Sequence, residues 1–481
     1  MGLSNRSAGP AAFVITMDTE IEAAAPIVDE QGDTLLRSLE SRALRGTYFV
    51  VIAYGLTMAL RLLSSVVLSR LFLPEYFGLM ALVSTVIVGM NLFSHVGLQD
   101  SIIQSPRGDE PVYLNTAWTI QVIRGAGLFL LTIPVAWPVA HFYRSPEIVS
   151  ILPVLGFTCL IAGFSSPSLL TLGRHMGVGK LSALELATQF IQLVVSVIWA
   201  LFQPTIWALV AGRVVSELAR TVISFWILPE IRPRFTWDKE SVRALVHFGR
   251  WILIGTALTF LALQSDRLIL AKLVSFQLLG VYGIAFALSD IPRQIILQFC
   301  ARVGFPFVAK FAERPRQEFR KLLLKYRLMV LAAGGLMIIA VVSTGDIFIL
   351  HVYPKPYHGA AWMIAILAAG LWHTLLYSTT SPAVLSLQKA HYNAIAYLVY
   401  CIGLYIALPW GFHLLGMVGA VIAVALSDLP VYFVTAYSAW REGVSMLRQD
   451  GLLTVAFLAL LALALVCRAS LGLGWPFPHL P

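Results

Sequence analysis

The sequence has few charged residues for its length. Only 12% of its 481 residues are Asp, Glu, Lys or Arg, whereas about a quarter of the residues in a soluble domain are charged. Hydrophobic residues make up 58% of the chain, and the mean hydropathy is +0.80. This composition excludes an ordinary soluble protein. Repeated apolar runs of roughly 20 residues instead predict an all-α, polytopic bundle of membrane helices.

Cysteine is also scarce, and neither cysteine nor histidine has the spacing of a metal or redox site. The cysteines form no CxxC pair and lie in apolar runs, which predicts four buried thiols, at Cys159, Cys300, Cys401 and Cys467. A nucleotide-binding loop that ends at Gly179 and Lys180 would need Gly at position 174 and Ser or Thr at position 181. The stretch GRHMGVGK, residues 173–180, instead has Arg174 and is followed by Leu181. We therefore predict no cofactor other than a coupling ion, H⁺ or Na⁺.

The apolar runs predict two sets of six membrane helices and one further helix. The first set lies near residues 46–69, 78–100, 114–138, 147–168, 182–202 and 205–228. The second set lies near residues 250–272, 278–300, 327–350, 360–380, 392–411 and 415–437. The run Leu452–Val466 predicts a thirteenth helix. The predicted regions are a tail (1–41), two six-helix halves (42–228 and 229–440) and a C-terminal extension (441–481).

The tail and the loops predict the orientation. The first forty residues carry seven acidic and two basic residues, which predicts a solvated, disordered tail. Its apolar piece, Ala11–Met17, lacks the length and basic start of a signal peptide, so we expect the first membrane helix to direct insertion. With this tail in the cytoplasm, 23 of the 34 Lys and Arg lie on the inner side and 5 on the outer side. The positive-inside rule therefore predicts a cytoplasmic N-terminus.

The densest basic cluster is KFAERPRQEFRKLLLKYR, residues 310–327, with seven basic and two acidic residues. Phe319, Leu322, Leu323 and Tyr326 lie along one helical face, which predicts a helix on the inner membrane surface beside anionic lipids. Nucleic-acid binding is the alternative use of such a +5 segment. The membrane already explains its charge, so we predict no nucleic-acid partner.

The sequence contains a faint internal repeat. SRLFLPEYFGL at residues 69–79 and AKLVSFQLLGV at residues 271–281 align at an offset of 202. The alignment pairs Arg70 with Lys272 and Gly78 with Gly280, and both copies follow the first helix of a predicted half. This predicts parallel repeats related by an axis along the membrane normal, an arrangement known in secondary transporters.

The same stretches carry a family resemblance. LSRLFLPEYFGLMALVSTV, HVGLQDSIIQSP, LNTAWTIQVIRG and FGRWILIGTALTFLALQSDRLILAKLVSFQLLGVYG resemble the polysaccharide transporter family of oligosaccharide flippases. That family shares a superfamily with the multidrug and toxic compound extruders and the lipid II flippases. The resemblance covers about residues 42–440. It implies export of an undecaprenyl-diphosphate-linked oligosaccharide across the bacterial inner membrane, for capsule, exopolysaccharide or O-antigen.

Arginines inside the first predicted half suit a diphosphate, because a guanidinium stays charged and can bind two phosphate oxygens at once. The candidate substrate-binding residues are Arg61, Arg124, Arg213, Glu217 and Arg220. The spacings of four and three place Arg213, Glu217 and Arg220 on one helical face, where the carboxylate could hold both guanidinium groups. Charges are costly at the bilayer centre, so several together favour a water-filled cavity. The alternative is structural ion pairing, or extension to the membrane surface at Arg61.

The second predicted half has a more acidic set of charges. Its candidates for ion coupling or inter-helix pairing are Asp266, Arg267, Asp290, Arg293 and Asp428. Asp290 and Arg293 are three apart and can pair, whereas Asp266 and Arg267 point about 100° apart and cannot simply neutralise each other. Asp266 is the first candidate for a proton or cation site and Asp428 the second. The alternative is a salt bridge between Asp266 and Arg293 that joins two helices.

Three functions remain compatible with the sequence. The first is a lipid-linked oligosaccharide flippase that works by alternating access, with membrane lipids and possible polymerase and chain-length proteins as partners. The second is a cation-coupled multidrug antiporter, which should line its pocket with carboxylates and aromatic residues. The third is a membrane glycosyltransferase or polymerase, which usually needs a sizeable outer loop. The arginines count against the second function, and outer connections of about ten residues count against the third.

Overall fold

A computed structural model describes most of the membrane region, and the described part is predominantly helical. The described residues are 55–94, 97–174, 178–227, 233–304, 308, 311, 315–387, 389 and 391–477. The predicted acidic tail (1–41) and the start of the first predicted helix lie outside these residues. No strand occurs within the described ranges, so the predicted all-α class is confirmed.

In the described part of the chain, eight helices precede the linker at residues 233–238. In chain order they are α1 (55–71), α2 (Pro74–Phe93), α3 (Leu98–Gln104), α4 (Pro111–Tyr143), α5 (Ile148–Gly163), α6 (Ser168–Arg174), α7 (Val178–Phe202) and α8 (Ile206–Ile227). Pro74 and Pro111 occupy the first turns of α2 and α4, where a missing backbone N–H costs no helical hydrogen bond.

A further eight helices lie after the linker among the described residues. They are α9 (Lys239–Leu273), α10 (Phe276–Ser289), α11 (Ile291–Phe299), α12 (Arg316–Val352), α13 (Ala360–Ser386), α14 (His391–Leu426), α15 (Leu429–Arg441) and α16 (Leu447–Ser470). A π-helical turn, Cys300–Gly304, extends α11. The side chains of Asp238 and Ser275 cap α9 and α10 by accepting from the amides of Ser241 and Leu278.

Non-helical backbone at Leu415 and Gly416 divides α14 into two arms. Gly416 has φ +59°, a conformation that glycine adopts without steric cost. A Cβ atom added at Gly411 would lie 2.6 Å from the carbonyl oxygen of Gly419. The two arms therefore pack closely because both positions lack a side chain.

The long helices run between two ends of the bundle. We call the end that contains residues 70–76, 142–143, 268–276 and 352–357 the distal end. There the hydroxyl of Tyr357 donates to the carbonyl of Phe72 over 2.8 Å, and the hydroxyl of Tyr143 donates to the carbonyl of Leu268 over 3.3 Å. We call the opposite end, with residues 91–119 and 234–256, the proximal end. There Thr236 N donates to the hydroxyl of Thr119 over 3.1 Å.

The largest apolar core lies where α2, α5, α10 and α13 meet. Its fully buried members include Leu82, Leu152, Tyr282, Ala285 and Ala360. The two copies of the predicted repeat meet in this region, because α2 and α10 pack against each other near Gly78 and Gly280. Seven described helices are long and apolar enough to cross a membrane. The chain is therefore a multi-pass membrane protein, while the arrangement of twelve helices plus one stays a prediction.

The basic segment 310–327 differs from its prediction. From Arg316 onward it is the first part of α12, rather than a separate helix on the membrane surface. Phe319 and Leu323 are buried against Val384, Tyr392 and other apolar residues near the ends of α13, α14 and α15. Protein side chains, rather than lipid, therefore cover the apolar face of this segment. The cysteine prediction also fails at one position, since Cys467 is exposed on α16 while the other three thiols are buried.

Two buried ion pairs attach α16 to α12. The guanidinium of Arg327 lies 2.8 Å from Asp450, and Arg468 forms a bidentate pair with Asp346. The pairs are 19 residues apart on α12 and 18 residues apart on α16, a rise of about 27 Å. This spacing is close to the thickness of about 30 Å of the hydrocarbon core. The ordering of the pairs also shows that the two helices run parallel.

Candidate functional site

Two cavities inside the bundle contain most of the predicted site residues. The arginine cavity, of about 380 Å³, lies among α2 to α8 and contains Arg124 and Arg220. The carboxylate cavity, of about 620 Å³, lies among α9 to α15 and contains Asp266 and Asp428. Both volumes fall in the range of about 300–1,000 Å³ that is usual for small-molecule pockets.

The arginine cavity has a mostly polar lining. Its charged and amide side chains are Asn91, Gln99, Gln121, Arg124, Glu185, Glu217 and Arg220. Two arginines face two glutamates, so the formal charge of this lining is zero. Glu185 is a lining residue that was not predicted, although an acidic residue within the predicted helix 182–202 was a usable signal.

Arg124 is fixed to the end of α2 by neutral groups. Its Nε donates to the hydroxyl of Ser94 over 3.0 Å, and its Nη2 donates to the backbone carbonyl of Asn91 over 2.8 Å. A further contact of 3.2 Å joins Nη2 to the side-chain oxygen of Asn91. No carboxylate pairs with Arg124 in the described part of the chain, so its positive charge remains available to an anion in the cavity.

The group of Arg213, Glu217 and Arg220 on α8 forms only in part. Glu217 and Arg220 line the cavity, and the side chain of Glu217 lies 3.9 Å from that of Arg213. Arg220 forms no ion pair within the described ranges, so the prediction that Glu217 holds both guanidinium groups is wrong. Arg213 lies seven residues before Arg220, about 10 Å closer to the distal end, and its side chain is exposed outside the cavity.

Arg61 also lies outside both cavities. It is on α1 and is exposed, as expected if the side chain extends toward the membrane surface. The structure therefore brings together three of the five predicted residues, Arg124, Glu217 and Arg220.

The carboxylate cavity is built from four of the five predicted residues of its region. Asp266, Asp290, Arg293 and Asp428 line it, whereas Arg267 does not. The guanidinium of Arg267 instead lies 3.4 Å from the side-chain oxygen of Gln264 and 5.7 Å from the centre of the Phe286 ring. Arg267 therefore finds its partners within its own helix and on α10.

The predicted pair of Asp290 and Arg293 forms, and the alternative pair of Asp266 and Arg293 does not. Arg293 contacts both carboxylate oxygens of Asp290, and these residues lie where α10 gives way to α11. Asp266 is only 5% exposed and accepts a hydrogen bond of 2.7 Å from the hydroxyl of Tyr282. Tyr282 satisfies Asp266 without a salt bridge because α10 places this buried hydroxyl directly beside the carboxylate.

Asp428 lies between α14 and α15 and accepts a hydrogen bond of 2.6 Å from the hydroxyl of Thr374 on α13. Asp266 and Asp428 thus share one cavity, and each receives its hydrogen bond from a neutral hydroxyl. Neither forms a salt bridge in the part of the chain that the structure describes. Two such carboxylates can bind a proton or a monovalent cation, or can accept hydrogen bonds from a polar substrate.

The remaining polar lining was missed in the sequence analysis. It comprises Thr374, Tyr377, Ser378 and Ser381 on α13, and Asn393, Tyr397 and Tyr400 on α14. These positions follow the spacing of one helical face, at i, i+3, i+4 and i+7 on α13 and at i, i+4 and i+7 on α14. A polar stripe inside an apolar run was therefore the available signal.

A family model described as a polysaccharide biosynthesis protein matches residues 67–362. The succinoglycan biosynthesis transport protein ExoT of Rhizobium meliloti is 22% identical over 58% of this chain and 56% of its own length. The lipopolysaccharide biosynthesis protein WzxC of Escherichia coli is 22% identical over 60% of this chain and 59% of its own length. The chain therefore spans a little over half the length of these relatives.

Solved structures share the fold. The lipid II flippase MurJ, in an inward closed conformation, has a TM-score of 0.66 and 12% identity, and the match covers 86% of this chain and 91% of MurJ. An inward-facing multidrug resistance transporter of the MATE family has a TM-score of 0.62 and 13% identity, with 83% of this chain and 99% of that chain covered. At these identities the likeness concerns the fold alone.

Proposed function

Because the chain belongs to the polysaccharide biosynthesis protein family, we propose that it is a flippase for a lipid-linked oligosaccharide. The substrate is an oligosaccharide on undecaprenyl diphosphate, moved from the inner to the outer leaflet of the bacterial inner membrane. One observation carries the proposal: Arg124 and Arg220 line a polar cavity inside an apolar bundle without carboxylate partners in the described part of the chain. The relatives named for polysaccharide transport and biosynthesis support the same conclusion.

In this proposal the arginine cavity holds the diphosphate. Arg124 is kept in place by Ser94 and Asn91, and Arg220 is free to contact a second phosphate oxygen. Charge-assisted hydrogen bonds from guanidinium groups are among the strongest available to phosphate. Arg213, about 10 Å further along the same face of α8, would receive the diphosphate as it moves toward the distal end. Arg61 is exposed and has no part in this binding step.

Asp266 and Asp428 are the proposed coupling groups. Each carboxylate faces the carboxylate cavity and accepts only a neutral hydrogen bond in the described structure. A carboxylate held in this way can exchange a proton or bind Na⁺ as its surroundings change. Asp290 and Arg293 already neutralise each other, so we assign that pair to the junction of α10 and α11.

The proposed cycle is alternating access between the two predicted halves, with the N-terminus in the cytoplasm. The diphosphate contacts arginines, the glycan crosses in water, and the polyprenyl tail remains in lipid. Polymerase and chain-length proteins would act on the product in the outer leaflet.

The direct test uses the purified full-length chain in lipid vesicles. A fluorescent undecaprenyl-diphosphate oligosaccharide is placed in one leaflet, and its arrival in the other is measured with a membrane-impermeant quencher. We expect transfer to be at least ten-fold faster than in protein-free vesicles. Transfer at the protein-free rate, for protein that remains folded, would disprove the function.

A multidrug antiporter is the second candidate, and one observation favours it. Three carboxylates and three tyrosines line the carboxylate cavity, the lining expected for a pocket that binds cationic drugs. Ethidium uptake into the same vesicles under a proton or Na⁺ gradient separates the two functions. A flippase should leave the ethidium distribution unchanged, whereas gradient-driven ethidium transport without oligosaccharide transfer would favour the antiporter.

A further inference from the structure

The charge of the carboxylate cavity affects which sugars the cavity can bind. Its only arginine in the described structure, Arg293, is bound by Asp290, with Gln294 as a further donor to that carboxylate over 2.9 Å. Asp266 and Asp428 remain without a cationic partner in the described residues. The lining therefore has a formal charge of −2, in contrast to zero in the arginine cavity.

We infer that the carboxylate cavity binds the glycan, and that it selects uncharged or amino sugars over acidic sugars. This inference rests on the proposed function, because it assigns the oligosaccharide part of the same substrate. An acidic sugar would bring a third unpaired negative charge to Asp266 and Asp428, away from bulk water. Like charges held close together in a protein interior repel more strongly than they do in water.

The hydrogen-bonding groups of the cavity fit sugar hydroxyls. Asp266 is almost fully buried yet lines the cavity, and only its Oδ2 atom is engaged, by Tyr282. Its other oxygen has no hydrogen-bond partner within the described ranges. Asp428 likewise uses one oxygen, for Thr374. An ionised carboxylate accepts up to about four hydrogen bonds, so both residues retain capacity for sugar hydroxyl or ammonium donors.

The neutral part of the lining adds stacking surfaces and amide groups. Tyr377 on α13 and Tyr397 and Tyr400 on α14 line the cavity. A tyrosine ring presents an apolar face to a sugar ring and a hydroxyl to its polar edge. Asn393 and Ser381 also line the cavity, and the amide of Asn393 donates to the hydroxyl of Ser381 over 3.2 Å. These groups suit a sugar, which needs a stacking surface as well as hydrogen-bond partners.

Ion coupling does not change this selectivity. If one carboxylate binds a proton or Na⁺, the lining becomes less negative. It still offers no free cationic side chain, since Arg293 stays paired with Asp290. A neutral sugar is therefore compatible with the cavity whether or not a proton or Na⁺ is bound. An acidic sugar finds no free cationic side chain in the described lining in either case.

Three water-soluble disaccharides of equal size test the inference. They are an N-acetylglucosamine disaccharide (neutral), a glucosamine disaccharide (cationic) and a glucuronic acid–N-acetylglucosamine disaccharide (acidic). Binding to the full-length protein in nanodiscs is measured by calorimetry at fixed ionic strength. We expect the acidic probe to bind at least ten-fold more weakly than the other two.

Variants show whether the cavity is responsible. In the double variant Asp266→Asn and Asp428→Asn, the preference against the acidic probe should fall at least five-fold. Tyr400→Phe should weaken all three probes alike. Glu147→Gln, an exposed position beyond the distal end of α4, is the matched control and should change nothing. Equal binding of the acidic and neutral probes to the parent protein would overturn the inference.

Two further outcomes would also overturn it. The first is the absence of binding by all three probes at millimolar concentration while Na⁺ binds, which would make the cavity an ion site only. The second comes from the vesicle assay, if an acidic lipid-linked oligosaccharide moved as fast as a neutral one. That result would leave the flippase function intact, whereas failure to move either lipid would remove the function itself.

Discussion

Gly78 and Gly280 contact each other in a reciprocal way at the crossing of α2 and α10. A Cβ atom added at Gly78 would overlap the carbonyl oxygen of Phe276 and lie 2.8 Å from its carbonyl carbon. A Cβ atom added at Gly280 would overlap the carbonyl oxygen of Pro74 and lie 2.8 Å from its carbonyl carbon. Both pairs of equivalent residues are separated by 202 positions, the offset of the sequence repeat. The contact is therefore symmetric between the two copies.

This crossing predicts the effect of adding one methyl group. Gly78→Ala or Gly280→Ala should force α2 and α10 apart near the distal end, whereas Ala normally favours a helix by about 1 kcal/mol over Gly. We expect a lower melting temperature. The hydroxyls of Ser65 and Tyr353 lie 3.0 Å apart at the same end. With cysteines introduced at these two positions, a bifunctional thiol reagent should cross-link the Ala variants less than the protein that keeps both glycines.

Gly127→Ala is the matched control for this experiment. Gly127 also lies within a helix, but an added Cβ atom would meet nothing within 4 Å. This variant should be neutral or slightly stabilising. If Gly78→Ala behaved like Gly127→Ala in both measurements, the close contact at the crossing would not hold α2 and α10 together near the distal end.

The sequence predicted the helical class better than it predicted the site. Hydropathy located the long helices because each crosses an apolar medium. The repeat predicted two related copies, but not that α2 and α10 pack against each other at Gly78 and Gly280. The pairing of Arg327 with Asp450 could not be foreseen, since it joins residues 123 apart that only tertiary packing brings together. For the same reason the partner of Asp266 could not be predicted from the sequence: it is the hydroxyl of Tyr282 rather than a cation.

The arginine cavity gives the second prediction. Arg124→Ala and Arg220→Ala should each remove a charge-assisted hydrogen bond worth about 1.5–3 kcal/mol, which corresponds to a loss of transport of about 10- to 150-fold. Lys keeps the charge but not the planar fork, so the Lys variants should be intermediate. Transport is measured in vesicles and normalised to folded protein. Arg448→Ala, at an exposed position outside both cavities, should transport normally, and parental rates in both cavity variants would make these arginines structural.

The third prediction concerns coupling at Asp266. Because no salt bridge depends on this carboxylate in the described structure, Asp266→Asn should leave the amount of folded protein unchanged while abolishing gradient-driven transport. Asp290→Asn is the contrasting variant, since it would leave the guanidinium of Arg293 without its partner and should reduce the amount of folded protein. Normal gradient-driven transport by Asp266→Asn would exclude Asp266 from coupling.

The fourth prediction concerns the attachment of α16. Arg327 is fully buried, so Asp450→Asn would leave an uncompensated charge and should destabilise the protein by about 3–5 kcal/mol. The double variant Arg327→Met and Asp450→Leu should recover much of this loss, because both charges are removed. Glu442→Gln disrupts the more exposed contact with Lys389 and should cost less than about 1 kcal/mol. Unfolding in mixed micelles measures these differences, and equal losses for Asp450→Asn and Glu442→Gln would contradict the argument.

The last prediction concerns topology. Helix α12 has 37 residues and is about 55 Å long, which exceeds the hydrocarbon thickness of about 30 Å. Arg316 and Lys355, near its two ends, should therefore lie on opposite sides of the membrane. Because α16 runs parallel to α12, Gly472 should share the side of Lys355. The 23 to 5 division of basic residues predicts that this side is outside.

In a variant without native cysteines, single cysteines at Lys355 and Gly472 should react with an impermeant maleimide in intact cells, and one at Arg316 should react only after lysis. Labelling of Arg316 alone in intact cells would reverse the orientation and the proposed direction of transport. Labelling of Lys355 and Gly472 from opposite sides would instead contradict the parallel attachment of α16.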